Sequence, residues 1–238
     1  MSCRKKLLNY CELPLEKPDG NIKKKVVLVT DSKGRYLKAV SEPQSEDIIR
    51  IIHPGSKCIH NKKWLNKNIH RLRETYGPLH VYFWLGTCDL TNKVGKKIKL
   101  VDNIDATVQE LTQEYTEVID LCKKEQCTAT ILEMPYYSIS IWNKTKSPTE
   151  SDLDDTVQDK QLLDHIDQLN QNIKDINSTN GVRSPVFNAD ICKSRKSKGK
   201  CTRYSIDMKL FKDGIHPDLL LSRAWIKSIT KTIYRDCY

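Results

Sequence analysis

The alternation of short apolar runs with helical stripes is the feature that most limits which folds this chain can adopt. Each run is short, mostly β-branched or aromatic, and followed at once by a turn of glycine, proline or polar residues. Uninterrupted runs of this kind are typical of strands buried on both faces of a parallel sheet. The runs cover residues 26–29, 48–52, 81–85, 130–134 and 185–187.

The segments between these runs carry apolar residues every three or four positions, which marks one face of a helix. Strands that alternate with helices imply right-handed crossovers, with helices on both faces of the sheet. The sequence therefore predicts a three-layer α/β/α sandwich with a five-stranded parallel sheet, as in flavodoxin-like folds. The predicted helices cover residues 104–122, 162–176 and 221–233, with a weaker prediction for 61–74.

The length of 238 residues suits one domain, which we expect over residues 25–238. Residues 1–24 contain prolines, a glycine and a run of lysines, and predict a polar, basic tail. No stretch approaches the roughly 18 apolar residues of a membrane-spanning helix, and the start has no apolar signal-peptide core. We therefore expect an intracellular protein, in the cytoplasm or the nucleus, without a membrane span.

The chain has nine cysteines at irregular spacing. An odd number in a chain of this size favours reduced thiols over a disulfide framework. No two pairs of cysteine or histidine residues have the matched spacing of a zinc site, so we expect no metal and no other cofactor. No sequence feature predicts an oligomeric state.

Several reactive or turn-forming residues directly follow the predicted strands. Ser32 follows the first strand, Gly55 the second, and residues 86–89 the third, while residues 213–216 precede the last helix. Because active sites of open parallel sheets gather at the carboxyl ends of the strands, we expect these positions to meet at one edge.

The same positions resemble the sequence blocks of the SGNH (GDSL-type) hydrolases. That family has Gly-Asp-Ser after its first strand, where this chain has Thr-Asp-Ser at 30–32, and its second block centres on a glycine, matched by Gly55. Its third block, Gly-x-Asn-Asp, corresponds to Gly-Thr-Cys-Asp at 86–89, and its last, Asp-x-x-His, to Asp213 and His216. The resemblance extends from about residue 26 to residue 235.

The resemblance implies a two-step acyl transfer. Ser32 would attack an ester carbonyl, His216 would take the serine proton and later pass it on, and Asp213 would orient the imidazole. The resemblance also places the oxyanion hole at the backbone N–H groups of Ser32 and Gly55 and at the third-block side chain, here Cys88.

Three positions depart from the family pattern. Cys88 stands where the family has the asparagine that donates to the oxyanion, and a thiol is a much poorer donor. Thr30 replaces a glycine, and Lys33 replaces a leucine beside the nucleophile. Lys33 is therefore a candidate contact for an anionic substrate.

Structural interpretations of the same residues stay open at this point. Ser32 could serve only as the N-cap of the following helix, and His216 only as a residue at a helix start. We expect Asp31 to order the nucleophile turn and Asp89 to brace the loop after the third strand. Cys88 could itself be a reactive thiol near His216.

The chain has 40 Lys and Arg residues and 30 Asp and Glu residues, so its net charge is +10, which favours anionic partners. Two basic clusters, one after the third block and one ahead of Asp213, are expected around the mouth of the site. The alternative is a solvated surface without a ligand. Besides Lys33, the candidate substrate contacts are Lys93, Lys96, Lys196, Lys198 and Arg203.

The first functional hypothesis is an SGNH-type serine hydrolase acting on an ester substrate, with a preference for one that carries negative charge. The alternative is a catalytically weak or inactive SGNH-like domain that binds nucleic acid, similar to the esterase domains encoded in some animal retroelements. A third hypothesis is a protein-interaction scaffold. Nucleic-acid binding predicts an affinity that falls steeply with salt and survives Ser32→Ala.

Overall fold

A computed structural model describes residues 2–40, 48–147, 153–195 and 203–238. The strands of these ranges are β1 (Lys25–Thr30), β2 (Ile48–Ile52), β3 (Leu79–Trp84), β4 (Thr91–Val94), β5 (Lys97–Leu100), β6 (Thr128–Ile131), β7 (Cys192–Arg195) and β8 (Arg203–Ile206). Four of them form a central parallel sheet in the order β2-β1-β3-β6, and two antiparallel hairpins, β4-β5 and β7-β8, lie outside it.

Helices cover both faces of the sheet, which confirms the predicted three-layer sandwich. The helices are α1 (Cys3–Glu12), α2 (Lys33–Lys38), α3 (Cys58–Tyr76), α4 (Ile104–Lys124), α5 (Ile139–Lys146), α6 (Leu153–Thr179), α7 (Asn188–Ile191) and α8 (Leu219–Cys237). All four predicted helices are present as α3, α4, α6 and α8, with somewhat longer bounds than the patterns indicated. None of the helices in the described ranges is long and apolar enough to cross a membrane.

Two apolar clusters lie on opposite sides of the sheet because successive strand residues point to opposite faces. In β1, Val27 and Val29 pack with α3, α4 and α6, whereas Val26 and Leu28 pack with α1 and α8. The strands are therefore buried on both sides, which explains why their sequences are continuously apolar rather than alternating.

The prediction of a fifth strand at 185–187 is wrong. Pro185 to Phe187 form no strand and lead into α7. Instead, two asparagine side chains of α6 bond the outer edge of the sheet. The Asn177 amide accepts from Ile131 N at 3.0 Å and donates to Ile131 O at 2.7 Å. The Asn170 amide does the same for Met134, at 2.7 and 2.8 Å.

The spacing of these asparagines explains the fit. Seven helical residues rise about 10.5 Å, and three strand residues span about 10 Å. Two amides on one helix face can thus reach two backbone positions of the extended chain, which satisfies polar groups that a neighbouring strand would otherwise pair.

The segment expected as a polar tail contains a helix that packs on the domain. Cys3 and Leu7 of α1 are buried against α8. The Lys227 ammonium donates to the backbone oxygens of Tyr10 at 2.6 Å and of Leu13, both at the end of α1. Carbonyls at a helix C-terminus lack partners and attract a cation. Over these residues the tail expectation is therefore incorrect.

Candidate active site

Ser32 lies at the carboxyl end of β1, as the first turn of α2 begins. Its backbone is already helical, with φ −57° and ψ −24°, and its side chain makes no capping hydrogen bond to the helix. The Ser32 hydroxyl is instead 2.9 Å from His216 Nε2. The geometry therefore disagrees with the N-cap interpretation of this serine.

Asp213 and His216 continue this contact into a chain of hydrogen bonds. His216 Nδ1 lies 2.8 Å from Asp213 Oδ2. Asp213 Oδ1 accepts from the backbone N–H groups of His216 at 2.8 Å and Ile215 at 3.1 Å. Burial alone would raise the pKa of the Asp213 carboxyl, but the hydrogen bonds from His216 and Ile215 outweigh it and lower that pKa. The Asp213 carboxyl therefore stays ionised, and its Oδ2 lies within hydrogen-bond distance of His216 Nδ1, the ring nitrogen that it would orient.

The turn between Asp213 and His216 depends on Gly214. This glycine has φ +86°, and a Cβ there would lie 2.9 Å from Ile141 Cβ and 3.0 Å from Ser138 O. Its carbonyl accepts from Ser138 N at 2.9 Å. The loop is thus docked against the start of α5, and a larger residue would be strained and crowded there.

Two aromatic side chains that the sequence analysis did not single out flank His216. The Tyr36 ring stacks on the imidazole with centroids 4.8 Å apart, and the Trp142 ring lies at 5.8 Å. The Lys212 ammonium lies 4.7 Å from the centroid of the Tyr36 ring. Tyr36 follows Ser32 by one helical turn, which is a local signal for proximity. Trp142 comes from α5, and no local pattern connects it with His216.

Solved structures of other proteins share this architecture. A candidate acylhydrolase from Bacteroides fragilis has a TM-score of 0.59 at 17% identity, covering 98% of this chain and 97% of that chain. A GDSL-like lipase from Bacteroides thetaiotaomicron has a TM-score of 0.57 at 14% identity, covering 95% of this chain and 96% of that chain. The lipase/acylhydrolase from Enterococcus faecalis has a TM-score of 0.53 at 15% identity, covering 90% of this chain and 97% of that chain. The chain has the SGNH hydrolase fold. Neither a protein-family model nor a curated protein matches the sequence.

Within this SGNH fold, Lys33 does not occupy the position that we expected. It is 2% exposed, and its ammonium donates to Asp31 Oδ2 at 2.5 Å and Thr87 Oγ1 at 2.7 Å. The same ammonium lies 5.2 Å from the Trp84 ring centroid. The expectation of a substrate contact at Lys33 is therefore wrong, because the side chain is turned inward and links the loops after β1 and β3.

The two other expected oxyanion-hole positions lie in the loops after β2 and β3. Gly55 has φ +72°, and open space surrounds its Cα where a side chain would start. Cys88 is partly buried, and burial is the main cause that raises the pKa of its thiol to about 11. A thiol with that pKa stays protonated near neutral pH, which argues against the alternative of a reactive thiolate. The role of both residues as oxyanion contacts stays a prediction.

Asp89 braces the same loops, as expected. Its two carboxylate oxygens both lie 3.1 Å from the backbone nitrogen of Cys58, which is the first residue of α3. Burial raises the pKa of Asp89 to about 6 despite this hydrogen bond. Asp89 therefore connects the third-block loop with a helix start and makes no contact that requires a catalytic role.

The remaining candidate substrate contacts stay predictions. Lys93 and Lys96 are exposed on the β4-β5 hairpin. Lys196 and Lys198 lie outside the described residues, and Arg203 begins β8. Among the described residues, no group of three His, Cys, Asp or Glu side chains could hold a metal ion, and the eight cysteines there are free thiols.

Proposed function

We propose that this protein is a serine hydrolase that cleaves an ester through an acyl-enzyme on Ser32. One observation carries the proposal: the Ser32 hydroxyl makes no capping hydrogen bond to the start of α2 and lies 2.9 Å from His216 Nε2. A hydroxyl in that position can lose its proton to the imidazole as it attacks, which is how this nucleophile becomes reactive near neutral pH.

In the first half-reaction, Ser32 Oγ attacks the ester carbonyl carbon while its proton moves to His216 Nε2. Asp213, kept ionised by its hydrogen bonds, stabilises the imidazolium that forms. When the tetrahedral intermediate collapses, Nε2 returns the proton to the departing alkoxide and the acyl group stays on Ser32. In the second half-reaction a water molecule attacks the acyl carbon while its proton moves to Nε2, and Nε2 then returns that proton to Ser32 Oγ as the free acid leaves.

Charge on the carbonyl oxygen would be stabilised mainly by backbone N–H groups of Ser32 and Gly55. The Cys88 thiol, protonated and partly buried, would be the third and weakest donor. We therefore expect acylation of Ser32 to be easier to detect than rapid turnover.

We further propose an ester that carries negative charge. The net charge of +10 favours such a substrate, and the Lys212 ammonium lies beside the Tyr36 ring that stacks on His216. Nucleic-acid binding remains a prediction from charge alone.

The test is the intact mass of the protein after exposure to a fluorophosphonate probe. We expect one adduct on the wild type and on Ser178→Ala, which removes an exposed serine of α6, and none on Ser32→Ala. Absence of an adduct on folded wild-type protein, or an adduct that persists in Ser32→Ala, would contradict the proposal. Salt-dependent binding to nucleic acid would then be measured next.

A further inference from the structure

A cavity of about 510 Å³ lies between α6 and the segment that leads into α7, and Val186 of the segment that was expected to form a fifth strand lines it. Its lining residues do not include Ser32, Asp213 or His216, so it is separate from the candidate active site. Most of the polar lining comes from α6 and from the segment that follows β6, and Asn188 of α7 and the thiol of Cys192 add to it. The residues of those first two elements are Glu133, Tyr136, Asp164, Asp167, Asn170 and Lys174.

Glu133 is the residue at the centre of this region. It is 4% exposed, and it lines both this cavity and an adjoining one of about 300 Å³. Its backbone groups are satisfied by Ser184 Oγ at 2.7 Å and by Trp84 Nε1 at 3.0 Å. Within the described ranges, no group donates a hydrogen bond to its carboxyl group. The Glu133 carboxyl oxygens are not among the fully enclosed atoms that lack a partner, so they are open to the cavity. A ligand that supplies a hydrogen-bond donor there gains a charge-assisted bond in a largely buried position.

The charge of the larger cavity is opposite to that of the whole protein. Three residues with carboxyl groups, Glu133, Asp164 and Asp167, and one with an ammonium group, Lys174, line this cavity. The Tyr136 hydroxyl donates a hydrogen bond to Asp167 Oδ1, which leaves Oδ2 of that carboxylate for a ligand. The chain as a whole has a net charge of +10. Such a local reversal attracts a cation to a protein that otherwise repels cations.

The arrangement of these carboxyl groups does not suit a single metal ion. No group of three potential metal ligands comes together in the described part of the chain, this cavity included. Asp164 and Asp167 are one turn apart on α6, while Glu133 approaches from the sheet edge. A ligand that reaches all three must therefore carry its positive charge at several points.

The rest of the lining indicates what connects those charges. Leu163, Val186 and Ile206 add apolar surface to the same cavity. From Asp164 to Lys174 the helix rises about 15 Å, which gives the lining an elongated shape. Methylene groups between separated ammonium groups fit this alternation of apolar and acidic surface.

The geometry points to a binding site for a linear aliphatic polyamine. Its ammonium groups donate to Glu133, Asp164 and Asp167, and its methylene chain lies against Leu163 and Val186. Lys174 limits the site at the end nearest the adjoining cavity, where Arg183 adds a second positive charge. No covalent step is involved.

The experiment is a calorimetric titration of the full chain with spermidine at low salt. We expect one molecule bound per chain, and no binding of hexanediol or adipate, which have a similar chain without positive charge. Glu133→Gln should weaken binding roughly ten- to hundredfold, because a charge-assisted hydrogen bond is lost. Asp164→Asn, at an exposed position, should weaken it a few-fold, about the effect of one exposed charge pair.

Two further variants separate this site from general attraction to acidic residues. Lys174→Gln should strengthen binding a few-fold, since it removes the like charge in the cavity. Glu110→Gln, the same change on an exposed face of α4, should leave the affinity unchanged. Equal binding by wild type and Glu133→Gln, no binding of spermidine by the wild type, or equal binding of adipate would each overturn the proposal.

Proton release provides an independent readout. Burial raises the pKa of Glu133 to about 7, and the charge of Lys174 opposes this rise. A bound cation favours the ionised carboxylate, so spermidine binding near pH 7 should release protons in the wild type and not in Glu133→Gln. Titration in two buffers of different ionisation enthalpy measures this release, and equal release by both proteins would contradict the assignment. The other titratable groups facing Glu133 are Tyr136, Asp164, Asp167, Lys174 and Cys192, with Arg183 in the adjoining cavity.

Discussion

The two sides of the candidate active site differ in completeness. On the proton-transfer side, formed by Ser32, Asp213 and His216, every side chain has a partner within 2.9 Å. On the oxyanion side, which we expect to consist of Gly55, Cys88 and the Ser32 N–H, the third expected donor is a thiol in place of an amide. In the proposed mechanism the first side would activate the nucleophile, whereas the second would stabilise the resulting charge less well.

In the proposed mechanism, activation of the serine and stabilisation of the oxyanion are therefore separable. Apart from Ser32, which contributes its hydroxyl to one side and its N–H to the other, the two sides are built on different loops, and each loop has its own hydrogen bonds. Asp213 and His216 are held by backbone hydrogen bonds within their own turn. The Cys88 loop is held through its neighbours Thr87 and Asp89. Variants can therefore change one side while the other stays intact.

The largest expected effect is on the proton-transfer side. Asp213→Asn should lower kcat for an activated ester by about 10⁴-fold, because the amide no longer stabilises the imidazolium or the required tautomer, as in other serine triads. Asp102→Asn, at an exposed position, is the matched control and should leave kcat unchanged. Steady-state kinetics measure both. A loss below tenfold would mean that the Asp213 contact is only structural.

The buried ion pair that links the two sides should have the next largest effect. Lys33→Met leaves the Asp31 carboxylate buried without its ammonium partner, and should lower the free energy of unfolding by about 3–5 kcal/mol. Urea denaturation measures the loss. The double variant with Asp31→Asn should recover most of it. If the single variant is as stable as the wild type, the pair does not hold these loops together.

The oxyanion side is tested by restoring an amide donor. Cys88→Asn should raise kcat by roughly 10²–10³-fold with little change in KM, since the new hydrogen bond forms mainly in the transition state. Cys88→Ala serves as the comparison and should not raise kcat. An unchanged kcat in Cys88→Asn would show that another group already supplies the missing donor.

The smallest expected effect concerns the ring that stacks on His216. Tyr36→Leu removes a stacked aromatic contact of about 0.5–1.5 kcal/mol. We expect kcat to fall roughly two- to tenfold because the imidazole is held less firmly, while the free energy of unfolding changes little. Kinetics and denaturation of the same preparation distinguish the two, and an equal loss in both would indicate a packing role only.

The sequence by itself determined those features that depend on local order and spacing. The apolar runs predicted the strands that form the sheet, and the three- and four-residue stripes predicted α3, α4, α6 and α8. The position of Ser32 after the first strand, together with the resemblance of Asp213 and His216 to the last SGNH block, predicted that these three residues would meet. The replacement of an amide by Cys88 is visible in the sequence without any structure.

Only the tertiary structure decided which partner each polar group has. Lys33 is on α2, and the sequence of α2 does not show that the buried Lys33 ammonium donates hydrogen bonds to Asp31 and Thr87. Residues 185–187 form no strand, and the Asn170 and Asn177 side chains, from another element, bond the backbone at that edge of the sheet. Trp142, which lies beside His216, likewise comes from a distant element, α5. Apolar periodicity can be seen within one segment of the sequence. The partner of a side-chain hydrogen bond often lies on a distant element, and its position is determined only when the whole chain packs.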